Sequence, residues 1–436
     1  MVDQKIVLAL KFLLLVLFFE STFEQQQQER LSSPIERAAL LELRSSLGLR
    51  SKDWPMKADN CSVWNGIKCE NGSVSEINIS GFRRTRLGSQ NPQFRVDSLV
   101  NLTRLKSFNA SGFYLPGSIP DWFGQRLVSL QVLDLSSCLI SNAIPGSLGN
   151  LTSLTGLYLY HNNFTGMIPS NLGLLAGLSV LDLSANMFTG SIPVSFGSLQ
   201  NLTRLDISMN LLSGPIPLAI GMLSKLQYLN LSRNDLSSSI PPQLGDLSNL
   251  ADFDCLNSCV GIKGLMGQGV KPTVISWSIS NAIPGSLGNL TSLTGLYLYH
   301  NNFTGMIPSN LGLLAGLSVL DLSANMFTGS IPVSFGSLQN LTRLDISMNL
   351  LSGPIPLAIG MLSKLQYLNL SRNDLSSSIP PQLGDLSNLA DFDCLNSCGG
   401  IMGLMGQGVK PTVISRSIRW STTPVIMKSR KPLSNT

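Results

Sequence analysis

The sequence predicts an α/β solenoid, a curved array of turns that each contribute one short parallel β-strand. A string L-x-x-L-x-x-L-x-L-x-x-N-x-[LF]-x-G-x-I-P begins at Leu151, Leu175, Leu199 and Leu223, which are 24 residues apart, with Ile207 in place of a leucine in the third turn and Ser238 in place of the glycine in the fourth. A solenoid explains this period because every turn must offer the same apolar positions to one shared core. Apolar residues make up 43% of the chain and charged residues only 13%, so we expect a continuous core and no general disorder.

A helical segment is predicted before the repeats. Residues 33–36 (SPIE) have the form of a capping box with proline at the first helical position, and Leu40, Leu43 and Leu47 share one helical face. The string CSVWNGIKC follows at 61–69. Because the first turn of a solenoid would otherwise expose its core, we expect this segment to cover that end.

The repeat resembles the leucine-rich repeat, and its G-x-I-P ending is similar to the plant extracellular subclass. The string at 61–69 resembles the C-x-W-x-G-[IV]-x-C signature of the amino-terminal cap in that subclass, with one additional residue before Trp64. This resemblance implies a disulfide between Cys61 and Cys69 that staples a helical cap.

With the string NISGFRRTR at 78–86, these motifs resemble the ectodomain of a plant leucine-rich-repeat receptor-like protein kinase, over about residues 30–255 and again 279–394. Members of that family carry a transmembrane helix and a cytoplasmic kinase domain. The sequence contains motifs for neither, so we expect no enzymatic activity and carry no kinase residue over to this chain.

The amino terminus predicts a secretory signal peptide at 1–25. Lys5 precedes an apolar run at 6–19 that only Lys11 interrupts. A membrane anchor is the alternative, but the run is shorter than the roughly 20 residues of a spanning helix. Thirteen N-x-[ST] sequons agree with the secretory pathway and an extracellular or cell-surface location. They lie at Asn60, Asn71, Asn78, Asn101, Asn109, Asn150, Asn163, Asn201, Asn230, Asn289, Asn302, Asn340 and Asn369.

An internal duplication divides the chain. Residues 140–278 recur as 279–417 at an offset of 139, whereas five turns need 120 residues and six need 144. Glycine and proline interrupt the pattern after residue 255, so we expect a kinked or disordered join and a second copy that lacks one strand. The predicted organisation is a signal peptide (1–25), a cap (26–100), a first block (101–259), a non-repeat insert (260–278), a second block (279–398) and a basic unstructured tail (399–436).

Charge and histidine content exclude two kinds of partner. The net charge of +5 includes four basic residues in 417–436, which leaves 5 − 4 = +1 for the rest of the chain. The repeats show no lysine or arginine stripe, so we expect no nucleic-acid binding. His161 and His300 are copies of one position without a ligand cluster, so we expect no metal, and no motif indicates a cofactor.

The seven cysteines are an odd number. Cys138 stands where the repeat has asparagine, and we expect it to be a buried structural thiol. The C-x-x-x-C string at 255–259, repeated at 394–398, is either a local disulfide or a remnant.

The concave face is the candidate binding surface, because residues that alternate with the inward leucines point outward from each strand. Aromatic residues and arginine are common interface anchors, and acids beside arginines suit the termini and polar groups of a peptide. Alternatively, the aspartates belong to a common L-D-[LI]-S pattern that serves the strand array. A glycan on Asn230 would reduce the area of this face that a ligand can reach. The candidate residues are Tyr158, Tyr160, His161, Asp182, Arg204, Asp206, Tyr228 and Arg233.

Three functions follow from these observations. The first is a receptor-like ectodomain that binds a peptide or protein ligand, and a co-receptor kinase, in cell-surface signalling. The second is a soluble inhibitor of a secreted enzyme, similar to polygalacturonase inhibitors, which needs an uninterrupted array of roughly ten capped turns. The third is the product of an altered receptor-kinase gene without independent function, since the pattern stops at matching points in both copies.

Overall fold

The structure is a computed structural model that describes residues 33–56, 61–85, 94–237, 239–256, 258, 281–376 and 378–397. The expected signal peptide, the insert at 260–278 and the tail at 399–436 lie outside the described residues. Helix α1 is Pro34–Ser46 and α2 is Trp122–Arg126. The strands are β1 Ile67–Glu70, β2 Ser73–Asn78, β3 Ser107–Asn109, β4 Val132–Asp134, β5 Ser141–Asn142, β6 Gly156–Tyr158, β7 Asn163–Met167, β8 Val180–Asp182, β9 Met187–Gly190, β10 Arg204–Asp206, β11 Leu211–Gly214, β12 Tyr228–Asn230, β13 Asp235–Leu236, β14 Asp252–Asp254, β15 Gly295–Tyr297, β16 Thr304–Met306, β17 Val319–Asp321, β18 Met326–Gly329, β19 Arg343–Asp345, β20 Leu350–Gly353, β21 Tyr367–Asn369, β22 Asp374–Leu375 and β23 Asp391–Asp393.

Helix α1 begins where the capping box predicts. The Ser33 hydroxyl accepts a hydrogen bond from the Glu36 N–H at 3.3 Å. The buried Glu36 carboxylate accepts from the Val74 N–H at 2.8 Å, and so ties α1 to β2. The expected disulfide between Cys61 and Cys69 is confirmed. The helical, disulfide-stapled cap is therefore present at the start of the array.

The concave face is one sheet of fourteen strands within the described residues, in the order β1-β2-β3-β4-β6-β8-β10-β12-β14-β15-β17-β19-β21-β23. Strands β1 and β2 pair antiparallel, and every later neighbour pairs parallel. The leucines stay in register from turn to turn, as Leu157 opposite Leu181 and Leu181 opposite Leu205 show. Their side chains are fully buried. The predicted α/β solenoid is confirmed.

The turn between β3 and β4 returns along the convex side through α2, and the other turns of the array return through a 3-10 helix. In the repeats the proline of the I-P pair directly precedes this helix in an extended conformation, as at Pro169 with φ −64° and ψ 128°. The 3-10 helices are Cys61–Val63, Asp97–Asn101, Gly146–Asn150, Ser170–Leu174, Val194–Ser198, Leu218–Met222, Pro242–Asp246, Gly285–Asn289, Ser309–Leu313, Val333–Ser337, Leu357–Met361 and Pro381–Asp385.

An asparagine side chain satisfies the backbone at the corner after eight of the described concave strands. The Asn210 amide nitrogen donates to the carbonyl oxygens of Leu183, Ile207 and Ser208 at 3.0, 3.1 and 3.0 Å. Its carbonyl oxygen accepts from the Phe188 N–H at 3.0 Å. Equivalent contacts occur at Asn162, Asn186, Asn234, Asn301, Asn325, Asn349 and Asn373.

Cys138 takes this corner position in its own turn. Its thiol donates to the Ala110 carbonyl at 3.1 Å, and burial raises the pKa of Cys138 to about 12. The thiol therefore stays protonated at neutral pH, as expected of a structural cysteine. Cys255 and Cys394 are disulfide-bonded, while Cys259 and Cys398 lie outside the described residues.

The predicted break between the two copies is wrong for the concave sheet. Strand β14 pairs directly with β15, with Asp252 opposite Gly295, Phe253 opposite Leu296 and Asp254 opposite Tyr297. Phe253 is fully buried, so the first block has no open apolar end there. The second copy joins the first without a missing strand.

Ser258 explains how the pattern continues at the join. It lies 24 residues after Asn234 and occupies the asparagine position, where its hydroxyl accepts from the Asn234 N–H and donates to the Leu231 carbonyl, both at 2.6 Å. In contrast, Ile283 lies 283 − 240 = 43 residues after its counterpart Ile240, an excess of 43 − 24 = 19. The offset is therefore 5 × 24 + 19 = 139, which is five whole turns and 19 further residues in the sequence between Ser258 and Asn281.

The convex side is also packed across the join. A Cβ placed on Gly245 would lie 2.4 Å from the Ser286 carbonyl oxygen, as close as one on Gly221 would lie to the Gln243 carbonyl within the first copy, also 2.4 Å. A second set of short strands is interrupted instead. Among the described residues it forms one sheet of five strands, β13-β11-β9-β7-β5, and another of four, β16-β18-β20-β22.

Candidate functional site

Four side chains of β10 and β12 form a compact cluster on the concave face. The Arg204 guanidinium lies over the Tyr228 ring, 3.6 Å from its centroid, and its Nη2 is 3.3 Å from Asp206 Oδ2. The Tyr228 hydroxyl donates to the same oxygen at 3.3 Å. The Asn230 amide lies 3.4 Å from Asp206 Oδ2 and 3.2 Å from the Tyr228 hydroxyl. We call Arg204, Asp206, Tyr228 and Asn230 the first cluster.

The two predicted aspartates each have a structural contact. Asp206 Oδ1 accepts from the N–H and hydroxyl of Ser208 at 3.1 and 2.6 Å. Asp182 Oδ1 makes the same pair of contacts with Ser184 at 3.1 and 2.7 Å. The L-D-[LI]-S pattern therefore serves the strand array through Oδ1, while Oδ2 of Asp206 faces the first cluster.

Tyr158 lies two strands from Arg204, at the end of β6. Its ring lies over Gly156, where a Cβ would come within 2.9 Å of the ring. Burial, and then the charges of Asp134 and Asp182, raise the pKa of Tyr158. This tyrosine is thus held in an acidic part of the face, near the first cluster but outside it.

The remaining predicted residues lie at the edge of the concave face. Tyr160 and His161 contact each other edge to face, with ring centroids 6.0 Å apart. His161 and Arg233 follow the strands at corner positions with left-handed φ values of 54° and 55°. Their exposed side chains are therefore beside the strand surface and outside the first cluster.

Asp252 and Asp254 on β14 were not among the predicted site residues. They lie next to β12 on the concave face, in register with Tyr228 and Asn230. Burial raises the pKa of both carboxyl groups, and the Asp252 and Asp206 charges raise that of Asp254 further. The sequence Asp252-Phe253-Asp254 does alternate acids with a buried residue, as a concave strand would, but it lies where the repeat pattern weakens.

Replacing Asp252 with asparagine is expected to raise the thermal midpoint at pH 7. Because the folded-state pKa of Asp252 is raised, its ionised form opposes folding above that pKa. The gain should disappear below the unfolded-state pKa of about 3.9, where the carboxyl is protonated in both states. Thermal unfolding at pH 7 and pH 3 measures both effects.

Asp391 provides the matched control for this substitution. It has the same position in β23 as Asp252 has in β14, but it is exposed. Asp391→Asn should give no comparable gain at pH 7. An equal gain in both variants would show that burial of Asp252 is not the cause.

Within the described residues, no group of three or more His, Cys, Asp and Glu side chains is arranged to hold a metal ion. No helix in that part of the chain combines the length and apolar character needed to cross a bilayer.

Of the sequon asparagines, Asn60 lies outside the described residues, and Asn109, Asn230, Asn302 and Asn369 are half-buried. The exposed ones are Asn71, Asn78, Asn101, Asn150, Asn163, Asn201, Asn289 and Asn340.

Two family profiles match the repeats. One, described as a leucine-rich repeat region, matches residues 122–305, and another, described as a leucine rich repeat, matches residues 315–375. A probable LRR receptor-like serine/threonine-protein kinase of Arabidopsis thaliana is 59% identical over 156 residues. That alignment covers 35% of this chain and 17% of the kinase, so the chain spans less than a fifth of that relative.

Solved plant receptor ectodomains have the same architecture. The Arabidopsis receptor kinase HAESA, in complex with the peptide hormone IDA and the co-receptor SERK1, superposes with a TM-score of 0.68 at 26% identity, over 83% of this chain and 62% of that one. The plant peptide hormone receptor RGFR1, in complex with RGF2, gives a TM-score of 0.55 at 31% identity, over 68% and 52%. Residues 122–305 and 315–375 therefore belong to the leucine-rich-repeat family, and the array resembles the ectodomains of plant receptor-like proteins.

Proposed function

We propose that the chain is an extracellular recognition protein whose concave face binds a peptide at the cell surface. The first cluster is the observation that carries this proposal. The Arg204 side chain is 40% exposed while Asp206 and the Tyr228 ring fix its position. An arginine held in one orientation loses little conformational entropy when it binds a polar partner.

The surrounding face supplies contacts for the rest of a peptide. Tyr158 and Tyr160 offer aromatic surface, and Asp182, Asp252 and Asp254 offer acceptors for peptide N–H groups or basic side chains. Aromatic residues and arginine often dominate binding energy at such surfaces. The complexes of HAESA with a peptide hormone and SERK1, and of RGFR1 with RGF2, support a peptide ligand and a co-receptor kinase as partners.

A soluble inhibitor of a secreted enzyme is the second candidate. Such an inhibitor needs an uninterrupted array, and the fourteen-stranded concave sheet runs through the join without a gap. The same continuity counts against a product that cannot fold. The two candidates differ in the ligand, because an enzyme would engage the array as a folded domain and a peptide as a short extended segment.

Binding can be tested with a peptide selected on the secreted protein from a random 12-residue library. Because the second copy repeats the first, both must be changed together. The test variant carries alanine at Tyr158, Tyr160, Arg204, Tyr297, Tyr299 and Arg343. We expect it to lose at least about 30-fold in affinity, equivalent to about 2 kcal/mol for interface anchors. Isothermal titration calorimetry measures the change.

Val194→Ser is the control, because Val194 lies on the convex side and is 71% exposed. It should bind the peptide as the wild type does. If the six-alanine variant retained full affinity, the concave face would not be the binding surface. Capture of a secreted enzyme together with failure to select any peptide would favour the inhibitor.

A further inference from the structure

The first cluster has a complete counterpart in the second copy, formed by Arg343, Asp345, Tyr367 and Asn369. The Arg343 guanidinium lies 3.7 Å from the Tyr367 ring centroid, compared with 3.6 Å in the first cluster. Its Nη2 lies 3.4 Å from Asp345 Oδ2, compared with 3.3 Å. The tyrosine hydroxyl reaches the aspartate at 3.1 Å, compared with 3.3 Å. We call these four residues the second cluster.

The strands around the two clusters also carry the same residues, although β23 ends the described sheet and its Asp391 is exposed where Asp252 of β14 is half-buried. Strands β6, β8, β10, β12 and β14 carry the same residues as β15, β17, β19, β21 and β23, in the same order along one sheet. The copies differ only at positions 260/399, 263/402 and 277/416, none of which lies on a described strand. A ligand group that fits the first cluster therefore meets the same side chains at the second.

The distance between the clusters is set by the sheet. From β10 to β19 there are five strand-to-strand steps, by way of β12, β14, β15 and β17. At about 4.8 Å for each step, the clusters are about 24 Å apart. All five pairings are parallel and in register, so this distance belongs to one continuous sheet.

We infer that this chain carries two equivalent peptide-binding subsites and that its partner is a ligand presenting the same segment twice. This inference rests on the proposed function and specifies its stoichiometry and ligand class. A tandem or dimeric peptide occupies both clusters of one chain. Ligands that carry the segment only once bind to the two clusters independently, one at each.

The expected gain follows from effective concentration. Once one segment is bound, a linker that spans the gap makes the second binding step intramolecular, which commonly tightens binding by 10²–10⁴-fold. A flexible Gly-Ser linker of about 20 residues has a root-mean-square length near 25 Å, which matches the separation. Changing either cluster alone should remove this gain completely.

The test uses a segment of about six residues from the selected peptide, which spans no more than about 20 Å and so fits within the separation of the clusters. It is used as a monomer and as a tandem with the 20-residue linker. Calorimetry on the wild type should give two monomers bound per chain, and one tandem bound at least about 100-fold more tightly. The matched variants Arg204→Ala/Tyr228→Ala and Arg343→Ala/Tyr367→Ala should each bind one monomer. Each should bind the tandem with the affinity of the monomer.

A wild-type stoichiometry of one, or a tandem without increased affinity, would overturn the inference. The inference would also be overturned if only one of the two matched variants lost a monomer site while the other still bound two monomers. These results differ from failure of the proposed function, in which the six-alanine variant binds the monomer as the wild type does. The Val194→Ser control should retain both the stoichiometry of two and the tandem gain.

Discussion

Replacing Asn210 with alanine is expected to lower the free energy of unfolding by about 3–4 kcal/mol. Asn210 is only 5% exposed, and its side chain binds one N–H and three carbonyl groups of the backbone. Alanine can replace none of these contacts, and a buried polar group without a partner costs about 1–3 kcal/mol. Guanidinium unfolding monitored by circular dichroism measures the loss.

Asn171→Ala is the control for this prediction, because Asn171 is exposed on a convex 3-10 helix. It should change the unfolding free energy by less than about 0.5 kcal/mol. A similar small effect at Asn210 would mean that water replaces the amide at the corner. The corner asparagines would then be dispensable for folding.

Replacing Gly245 with alanine is expected to destabilise the protein by about 2–3 kcal/mol. The added Cβ would lie 2.4 Å from the Ser286 carbonyl oxygen and 2.7 Å from its carbonyl carbon. These are backbone atoms of the next turn, so the clash is relieved only if the two copies move apart. Thermal and guanidinium unfolding measure the destabilisation.

Two glycines serve as references for Gly245. Gly285 begins the 3-10 helix on the other side of the join, and its nearest contact would be the Asn310 side chain at 3.7 Å. Gly285→Ala should therefore be nearly neutral. Gly221→Ala, within the first copy, should cost as much as Gly245→Ala. If Gly245→Ala matched Gly285→Ala instead, the copies would not pack tightly at the join.

The repeat positions were predictable because each has one physical requirement. Leucines such as Leu181 must face a shared core, and asparagines such as Asn186 must satisfy a corner, so the spacing alone fixes the array. The disulfide between Cys61 and Cys69 was predictable only through resemblance to a known cap. The Glu36 carboxylate accepts from the Val74 N–H on β2, a contact between distant segments that the capping-box pattern does not predict.

The join was not predictable from spacing. The offset of 139 suggested that the second copy would be out of register with the turns of the first, since 139 is not a multiple of 24. The Ser258 hydroxyl makes the corner contacts that keep the 24-residue spacing of the turns, but a single serine in a sequence does not indicate such a role. For the same reason Asp252 and Asp254 went unrecognised, although they occupy the strand positions of Tyr228 and Asn230. Both features depend on contacts between residues far apart in the sequence, namely Ser258 with Leu231 and β14 with β12, which the spacing of the repeat does not reveal.

The position of the additional chain, between Ser258 and Asn281, bears on how such genes can lengthen. A crossover that duplicates part of a solenoid would ordinarily have to occur in phase, or the hydrophobic positions of the new segment would face solvent. Here the surplus of 43 − 24 = 19 residues falls between Ser258 and Asn281, and the concave strands before and after it, β14 and β15, pair in register. A crossover that is not a whole number of turns is therefore compatible with a continuous sheet when the surplus residues lie between two strands that still pair in register. Unequal exchange can then double a set of concave strands in one event, without intermediate forms of partial length.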